Sequence, residues 1–126
     1  MPYDIQLQQI HEVIQRQTKN VSYVLTDRLW PRGISKADLG TIIWYKDAGP
    51  APALRKGLHD GSLSAEMFEQ AYKKQLLETP ETLEPLLKQA RQGDLCLLTA
   101  THNPNTSYLV VLLDALLKKL EAKASK

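Results

Sequence analysis

Short apolar runs bounded by turn residues predict four strands in this chain. Residues 21–26 (VSYVLT) and 41–45 (TIIWY) are rich in β-branched and aromatic residues, which favours buried strands. Residues 95–100 (LCLLTA) are apolar almost throughout, as is typical of a strand covered on both faces of a parallel sheet. Residues 4–10 alternate apolar and polar side chains, which predicts a further strand, although Ile10, Val13 and Ile14 also recur at helical spacing.

Apolar positions three and four apart predict helices between and after these strands. A short helix is expected at residues 52–58, and the next begins after Ser64, a predicted N-cap. Thr79 is predicted to cap a further helix, because a proline follows it at the first helical position, and Gly93 to end that helix. A last helix is expected over residues 106–121. Its apolar stripe comprises Leu109, Leu113, Leu116, Leu117 and Leu120.

Strands interleaved with helices predict βαβ units and a mostly parallel sheet. Four strands and about five helices indicate a small Rossmann-like three-layer α/β domain. The length of 126 residues and the hydrophobic content of 43% fit one domain, residues 1–126, without repeats or linkers. Gly-x-Gly-x-x-Gly and the phosphate-loop motif are absent from the sequence, so a dinucleotide or nucleoside-triphosphate cofactor is not expected.

Charge and cysteine content narrow the range of partners. The net charge of +2 is too mild for the concentrated basic stripe of a nucleic-acid binder, and the basic tail at 118–126 fits a helix C-terminus. One cysteine cannot form an internal disulfide. The start MPYDIQLQQI shows no secretory pattern, and no apolar stretch is long enough to span a membrane, so a cytoplasmic protein is expected.

The loop after the second predicted strand, residues 27–33 (DRLWPRG), contains two arginines, an aspartate and a tryptophan within seven residues. In open α/β sheets, ligands bind beyond the carboxyl ends of the strands. Arg28 and Arg32 are predicted to grip a carboxylate or phosphate, and Asp27 to orient an arginine or accept a proton. Trp30 offers a stacking face. Alternatively, Asp27 only pins a tight loop and Trp30 belongs to the core.

Further candidates follow the other two strands. Lys46 is expected to add a point charge to the same site and Arg55 a third guanidinium, unless both are merely surface residues. The loop THNPNTS that begins at Thr101 contains His102, the best general acid or base by its unperturbed pKa. Asn103 and Asn105 in that loop are predicted ligand contacts, and the simpler alternative is that Asn105 or Thr106 only caps the helix.

No metal site is predicted. Cys96 lies in the middle of a buried strand and is interpreted as a core residue. His11 and His59 have no supporting context, and three distant histidines form no metal-ligand spacing.

Residues 21–36 (VSYVLTDRLWPRGISK) closely resemble the hallmark segment of the YeaO-like proteins, domain-of-unknown-function family 488. The resemblance covers about residues 5–117. Further matches are Trp44, Lys46, Asp47, Pro50, Leu54, Arg55, Lys56, Phe68, Tyr72 and the strand at 95–100. It implies a bacterial α/β domain without an established activity. The recurring residues of the family correspond here to Asp27, Arg28, Trp30, Pro31, Arg32, Gly33, Trp44, Lys46 and Arg55.

The chain departs from this family pattern at two places. The family usually carries an aromatic residue before Gly-His-Asp, where this chain reads GLHD at residues 57–60. After the last strand the family usually shows a basic residue, an acid and an Asn near a His, where this chain reads THNPN. The missing acid weakens a proton-transfer role for that loop, which is consistent with altered specificity or lost activity.

The leading hypothesis from the sequence is binding of an anionic small molecule or nucleotide-like ligand, with turnover left open. The guanidinium groups of separate loops are expected to meet around one hollow at the rim of the sheet. The alternative is a non-catalytic regulatory or protein-interaction module that uses Trp30 and residues 55–60 as its contact surface. Nucleic-acid binding is less favoured, and the sequence does not determine the oligomeric state.

Overall fold

A computed structural model describes residues 4–103 and 107–124, in which a parallel four-stranded sheet is covered on both faces. Its strands are β1 (Ile5–Gln9), β2 (Val21–Leu25), β3 (Ile43–Trp44) and β4 (Asp94–Thr99), in the spatial order β1-β4-β2-β3. The helices are α1 (Ile10–Val13), α2 (Lys36–Leu39), α3 (Pro52–Asp60), α4 (Ala65–Glu78), α5 (Glu84–Gln92) and α6 (Leu109–Ala124), and short 3-10 helices span Lys46–Ala48 and Pro80–Leu83. The predicted α/β class with a mostly parallel sheet in three layers is confirmed.

Strand β4 is the centre of the sheet and explains the unbroken apolar run in the sequence. It pairs with β1 on one side and β2 on the other, so its alternate side chains enter two different cores. Leu97 lies in the core beneath α4, α5 and α6, and Leu98 lies in the core on the opposite face. Both leucines are completely buried, and truncation of either to alanine typically costs about 2–5 kcal/mol.

The two central strands send the chain to opposite faces of the sheet. After β2 the chain covers the face that holds Ile34 and Leu39, whereas after β4 it continues into α6 on the other face. Such a reversal opens a crevice between the carboxyl ends of two adjacent strands, and ligands of α/β domains bind at this point. The crevice of this protein therefore lies where β2 ends at Leu25 and β4 ends at Thr99.

Strand β3 differs from its prediction. A buried strand over residues 41–45 is expected from the sequence, but the strand contains only Ile43 and Trp44, and both side chains are exposed. The reason is its place at the edge of the sheet, after a turn that Gln17 holds. The Oε1 atom of Gln17 accepts hydrogen bonds from the amide and the hydroxyl of Thr41, at 3.1 and 2.6 Å.

All three predicted helix boundaries are found, but only one of the two predicted N-caps uses its side chain. Ser64 caps α4 by accepting a hydrogen bond from the Met67 amide, and α5 ends at Gly93. Thr79 occupies the N-cap position of the 3-10 helix Pro80–Leu83, with Pro80 at its first position as predicted, but its hydroxyl donates to the Gln75 carbonyl at the end of α4 instead of capping that helix. A 3-10 helix follows Thr79, and α5 begins only at Glu84.

The apolar stripe of α6 is partly shifted from its prediction. Leu109, Leu112, Leu116 and Leu120 are fully buried, whereas Leu113 and Leu117 are only half-buried. The period of 3.6 residues places position 112 on the line that joins 109, 116 and 120. The predicted start of this last helix at residue 106 lies outside the described residues. No helix in the described part of the chain combines the length and apolarity needed to traverse a membrane.

Candidate functional site

Asp27 lies in the crevice between β2 and β4, where its carboxylate joins three segments. Its Oδ2 atom accepts a hydrogen bond from the Ala100 amide at 2.8 Å, and its Oδ1 atom accepts one from the Tyr108 hydroxyl at 2.6 Å. The side chain is nearly buried, at 9% exposure. The carboxylate thus fastens the loop after β4 and the start of α6 to the end of β2.

The Tyr108 hydroxyl serves as both donor and acceptor in this network. Because its one proton goes to Asp27, the Thr26 hydroxyl at 2.8 Å must donate to Tyr108. Burial, and then the negative charge of Asp27, raise the pKa of Tyr108 well above its usual value. The tyrosine therefore keeps its proton at neutral pH and donates it to Asp27.

Arg28 is fixed by a backbone carbonyl rather than by a carboxylate. Its Nε and one terminal nitrogen donate to the Gly49 carbonyl at 3.3 and 3.2 Å. The Gln75 amide also donates to this carbonyl, at 2.9 Å, while its oxygen accepts from the Ala51 amide. A Cβ atom at Gly49 would overlap the Thr26 carbonyl oxygen, so only glycine permits this approach.

A cavity of about 460 Å³ opens beside these groups, and we call it the rim cavity. Its volume falls in the range of small-molecule sites. The polar part of its lining comprises Asp27, Arg28, Arg55, His59, Glu69, Thr101, Ser107 and Tyr108. Apolar walls come from Pro50, Leu58, Phe68 and Val111. The rim cavity thus combines a charged region with an apolar region.

Arg55 differs from the other charged residues of the rim cavity. It is half-buried on α3, and among residues 4–103 and 107–124 its guanidinium has no hydrogen-bond or ion-pair partner. Glu69, by contrast, forms an ion pair with Lys73 at 3.4 Å. The donors of Arg55 therefore remain available to a bound anion.

The structure brings three of the predicted site residues together: Asp27, Arg28 and Arg55 all line the rim cavity. Trp30 does not line it, because its indole nitrogen donates to the Ile34 carbonyl at 2.6 Å and its ring packs against Trp44. Trp44 in turn donates to the Asp27 carbonyl at 2.7 Å. The tryptophan pair braces the loop that carries Asp27.

Two of the four predicted cations lie away from the rim cavity. The Lys46 amine lies 5.2 Å from the centre of the Trp44 ring, which is a cation–π distance. Arg32 is exposed, and its carbonyl lies 3.0 Å from Nε2 of His11. The expected meeting of four cations around one hollow is thus reduced to Arg28 and Arg55.

The loop after β4 contributes fewer residues to the rim cavity than the sequence predicts. His102 and Asn103 are exposed and do not line the rim cavity, whereas their neighbour Thr101 does. Asn105 lies outside the described residues. Within the described ranges, no group of three or more His, Cys, Asp or Glu residues is arranged to hold a metal ion.

Sequence reasoning missed several residues of the site, of which Tyr108 is the most important. A tyrosine near the start of an otherwise leucine-rich helix was a usable indication, since a buried phenol requires a hydrogen-bond partner. His59 was dismissed for lack of context, yet it lines the rim cavity. Gln75 has no sequence pattern that marks it as the partner of a distant carbonyl.

Fold and site together define a small parallel α/β domain with a ligand-sized cavity at the carboxyl edge of its sheet. The family model DUF488-N3i, described as the inactive DUF488-N3 subclade, matches residues 4–126. The chain therefore belongs to the YeaO-like DUF488 family, as the resemblance of residues 21–36 implied.

Two relatives illustrate this membership. The chain is 34% identical over 91 residues to "Uncharacterized protein YeaO" of Escherichia coli, covering 72% of this chain and 79% of that protein. It is 34% identical over 89 residues to "Uncharacterized protein Rv3073c" of Mycobacterium tuberculosis, covering 71% and 75%. No solved structure matches the chain at a significant level.

Proposed function

We propose that this domain binds a small organic anion in the rim cavity and does not turn it over. The observation that carries the proposal is Arg55, a half-buried residue that lines the cavity and whose guanidinium has no partner among the described residues. A guanidinium in a partly enclosed site binds carboxylate or phosphate with two parallel hydrogen bonds. Arg28 adds a second positive charge from the neighbouring loop.

The shape of the lining favours a ligand with an apolar part. Leu58, Phe68 and Val111 form an apolar wall beside the charged region. A simple inorganic anion would leave this wall in contact with water, whereas an organic acid or phosphomonoester would cover it. A nucleotide-like ligand of suitable size meets the same requirement.

Two features favour binding without turnover. Both oxygens of Asp27 already accept hydrogen bonds, from Tyr108 and from Ala100, so the carboxylate is engaged in the scaffold. His102, the predicted acid or base, does not line the cavity. The family description, an inactive subclade, agrees with this interpretation.

The test compares three probes of similar shape, namely benzoate, phenyl phosphate and neutral benzamide, by thermal shift and calorimetry. We expect at least one anionic probe to raise the melting temperature while benzamide does not. In the Arg55→Gln variant that shift should disappear. The matched control is Arg91→Gln, because Arg91 is exposed on α5 and does not line the cavity.

Two results would refute this function. One is a shift by benzamide equal to that by benzoate, which would remove the role of charge. The other is an anion-dependent shift that persists in Arg55→Gln. Appearance of phenol from phenyl phosphate, at a rate that depends on the protein and falls in Arg55→Gln, would refute the absence of turnover alone.

The sequence-based alternative, an interaction module, retains one supporting observation. Leu58 is exposed at the C-terminal half of α3, within residues 55–60 of the predicted contact surface. Trp30 is not available for that surface, since its indole is packed against Trp44 and donates to Ile34. The thermal-shift test separates the two functions, because a protein contact surface requires no small anion.

A further inference from the structure

Strand β1 forms one edge of the sheet, and its own five residues carry none of the usual protection against pairing. None of the described strands pairs with this outer side, since β4 occupies the inner side. Natural edges carry charged residues, prolines or bulges that prevent another strand from adding. The five residues of β1, IQLQQ, contain no charge, no proline and no glycine.

The opposite edge is protected. Strand β3 comprises only two residues, and the charged pair Lys46 and Asp47 follows it closely. A strand so short presents too few backbone groups to hold a partner. The contrast between the two edges is the first indication that β1 is kept open for pairing.

The directions of the backbone groups in β1 are fixed by one hydrogen bond. The Leu95 amide donates to the Asp4 carbonyl at 3.0 Å, so the groups of Asp4 face β4. Because alternate residues of a strand face opposite sides, the amides and carbonyls of Ile5 and Leu7 and the amide of Gln9 point outward, whereas the Gln9 carbonyl stands at the N-cap position of α1. Two complete donor–acceptor sets and one further donor thus lie along the open edge.

We propose that two copies of the protein pair through these edges, β1 antiparallel to β1, around a two-fold axis at Leu7. This arrangement places Leu7 opposite Leu7 of the second copy, and Ile5 opposite its Gln9. The Leu7 pair exchanges two hydrogen bonds, and in each Ile5–Gln9 pair the Gln9 amide donates to the Ile5 carbonyl. The two sheets then become one continuous eight-stranded sheet.

The side chains of β1 are complementary in this register. Gln6 faces Gln8 of the second copy, at the closer type of antiparallel pair, where side chains interact most strongly. Within one copy the Gln8 amide already donates to Gln6 at 3.2 Å, so the same pairing can extend across the interface. On the other face, Ile5 and Leu7 are only half-buried against the core, and pairing would cover them further.

The glutamines are accessible to a second copy. Together with Glu12 and Arg16 they line a groove of about 390 Å³ on their face of the sheet. The rim cavity has no lining residue in β1. Dimerisation therefore does not depend on the proposed ligand, and either proposal can fail without the other.

The decisive experiment introduces charged residues into β1 and measures association by sedimentation equilibrium. The protein concentration runs from about 1 μM to about 1 mM, the range in which small interfaces associate. We expect a reversible dimer for the unaltered protein. In Gln6→Lys/Gln8→Lys, like charges lie opposite one another in the proposed register, so the dimer Kd should rise roughly tenfold. Gln6→Glu/Gln8→Glu should behave in the same way.

The mixture of the two double variants supplies the test of register. Opposite charges then face each other, and a heterodimer should form that is tighter than either homodimer. The matched control is Gln70→Lys/Gln92→Lys, which changes two exposed glutamines on helices and should leave the dimer unaffected. Circular dichroism confirms that each variant is folded.

Three results would overturn the proposal. An unaltered protein that stays monomeric up to about 1 mM would exclude the dimer. A dimer of unchanged Kd in both strand variants would place the interface elsewhere. Weakened homodimers whose mixture forms no heterodimer would exclude the antiparallel register about Leu7.

Discussion

The hydroxyl of Tyr108 donates a 2.6 Å hydrogen bond to Oδ1 of Asp27, which lies 81 positions earlier in the chain. Together with the Ala100 amide on Oδ2, it connects the end of β2 to the loop after β4 and to the start of α6. The same carboxylate borders the rim cavity. Stability of the sheet edge and shape of the proposed ligand site therefore depend on one side chain.

Tyr108→Phe tests this connection directly. Loss of the hydroxyl leaves one oxygen of a nearly buried carboxylate without its donor, which should lower the free energy of unfolding by about 2 kcal/mol. Tyr45→Phe is the control, because the Tyr45 hydroxyl donates to the neutral carbonyl of Thr82, and its loss should cost about 1 kcal/mol. Equal losses in urea titrations would show that the charge of Asp27 adds nothing.

The close approach at Gly49 predicts a strong effect of one methyl group. In Gly49→Ala the new Cβ overlaps the Thr26 carbonyl oxygen, so the segment that anchors Arg28 must move. We expect a loss of about 3 kcal/mol in urea unfolding and weaker binding of anionic probes. Gly61→Ala is the comparison, since its Cβ meets open space and only the positive φ of 85° costs about 1 kcal/mol. A milder effect at Gly49 than at Gly61 would contradict the packing argument.

The buried tyrosines make stability depend on alkaline pH. Burial raises the pKa of Tyr72 and of Tyr108 above the usual value; the charge of Asp27 raises the pKa of Tyr108 further, whereas at Tyr72 the charge of Arg28 opposes the effect of burial. The folded state therefore retains protons that the unfolded chain releases above about pH 10. The stabilisation that these tyrosines contribute is fully present below that pH and is lost as the pH rises beyond it. We expect tyrosinate absorbance of these residues to appear together with loss of the helical signal.

The matched variant for this pH dependence is Tyr108→Phe, which removes one of the two groups. Its stability should decline less steeply with pH above about 10 than that of the unaltered protein. Identical slopes in denaturant titrations at successive pH values would show that Tyr108 does not contribute.

Cys96 is expected to resist thiol reagents in the folded protein. It lies in β4 at 2% exposure, and burial raises the pKa of its thiol to about 11, so little thiolate exists at neutral pH. The rate of labelling by an aromatic disulfide reagent should be limited by global unfolding of the protein. It should increase as soon as denaturant is added. Rapid labelling without denaturant would show that β4 is accessible from solvent.

The sequence predicted those features of the fold and the site that a local pattern of residues encodes. The uniform apolar run at 95–100 identified the central strand, because only a strand covered on both faces lacks polar positions. Asp27, Arg28 and Arg55 were predicted near one another because parallel strands end at a common edge. The geometry has them all lining one cavity.

What the sequence did not predict depends on contacts between distant residues. Lys46 and Arg32 follow the strand ends as Arg28 does, yet Lys46 lies over the Trp44 ring and Arg32 faces solvent. Strand β3 has the composition of a core strand but forms an exposed edge, since its position in the sheet order is not a local property. Tyr108 was overlooked because its partner is remote in sequence.

The placement of β4 between β1 and β2 has a consequence for biosynthesis. Among the described strands β1 pairs only with β4, so it has no strand partner while the ribosome is still making residues 94–99. The nascent chain must keep IQLQQ unpaired until its final strand inserts between two earlier ones. Completion of the sheet is therefore a late, cooperative event. A translation pause before residue 94 would prolong the time for which the unpaired β1 segment is exposed to other chains.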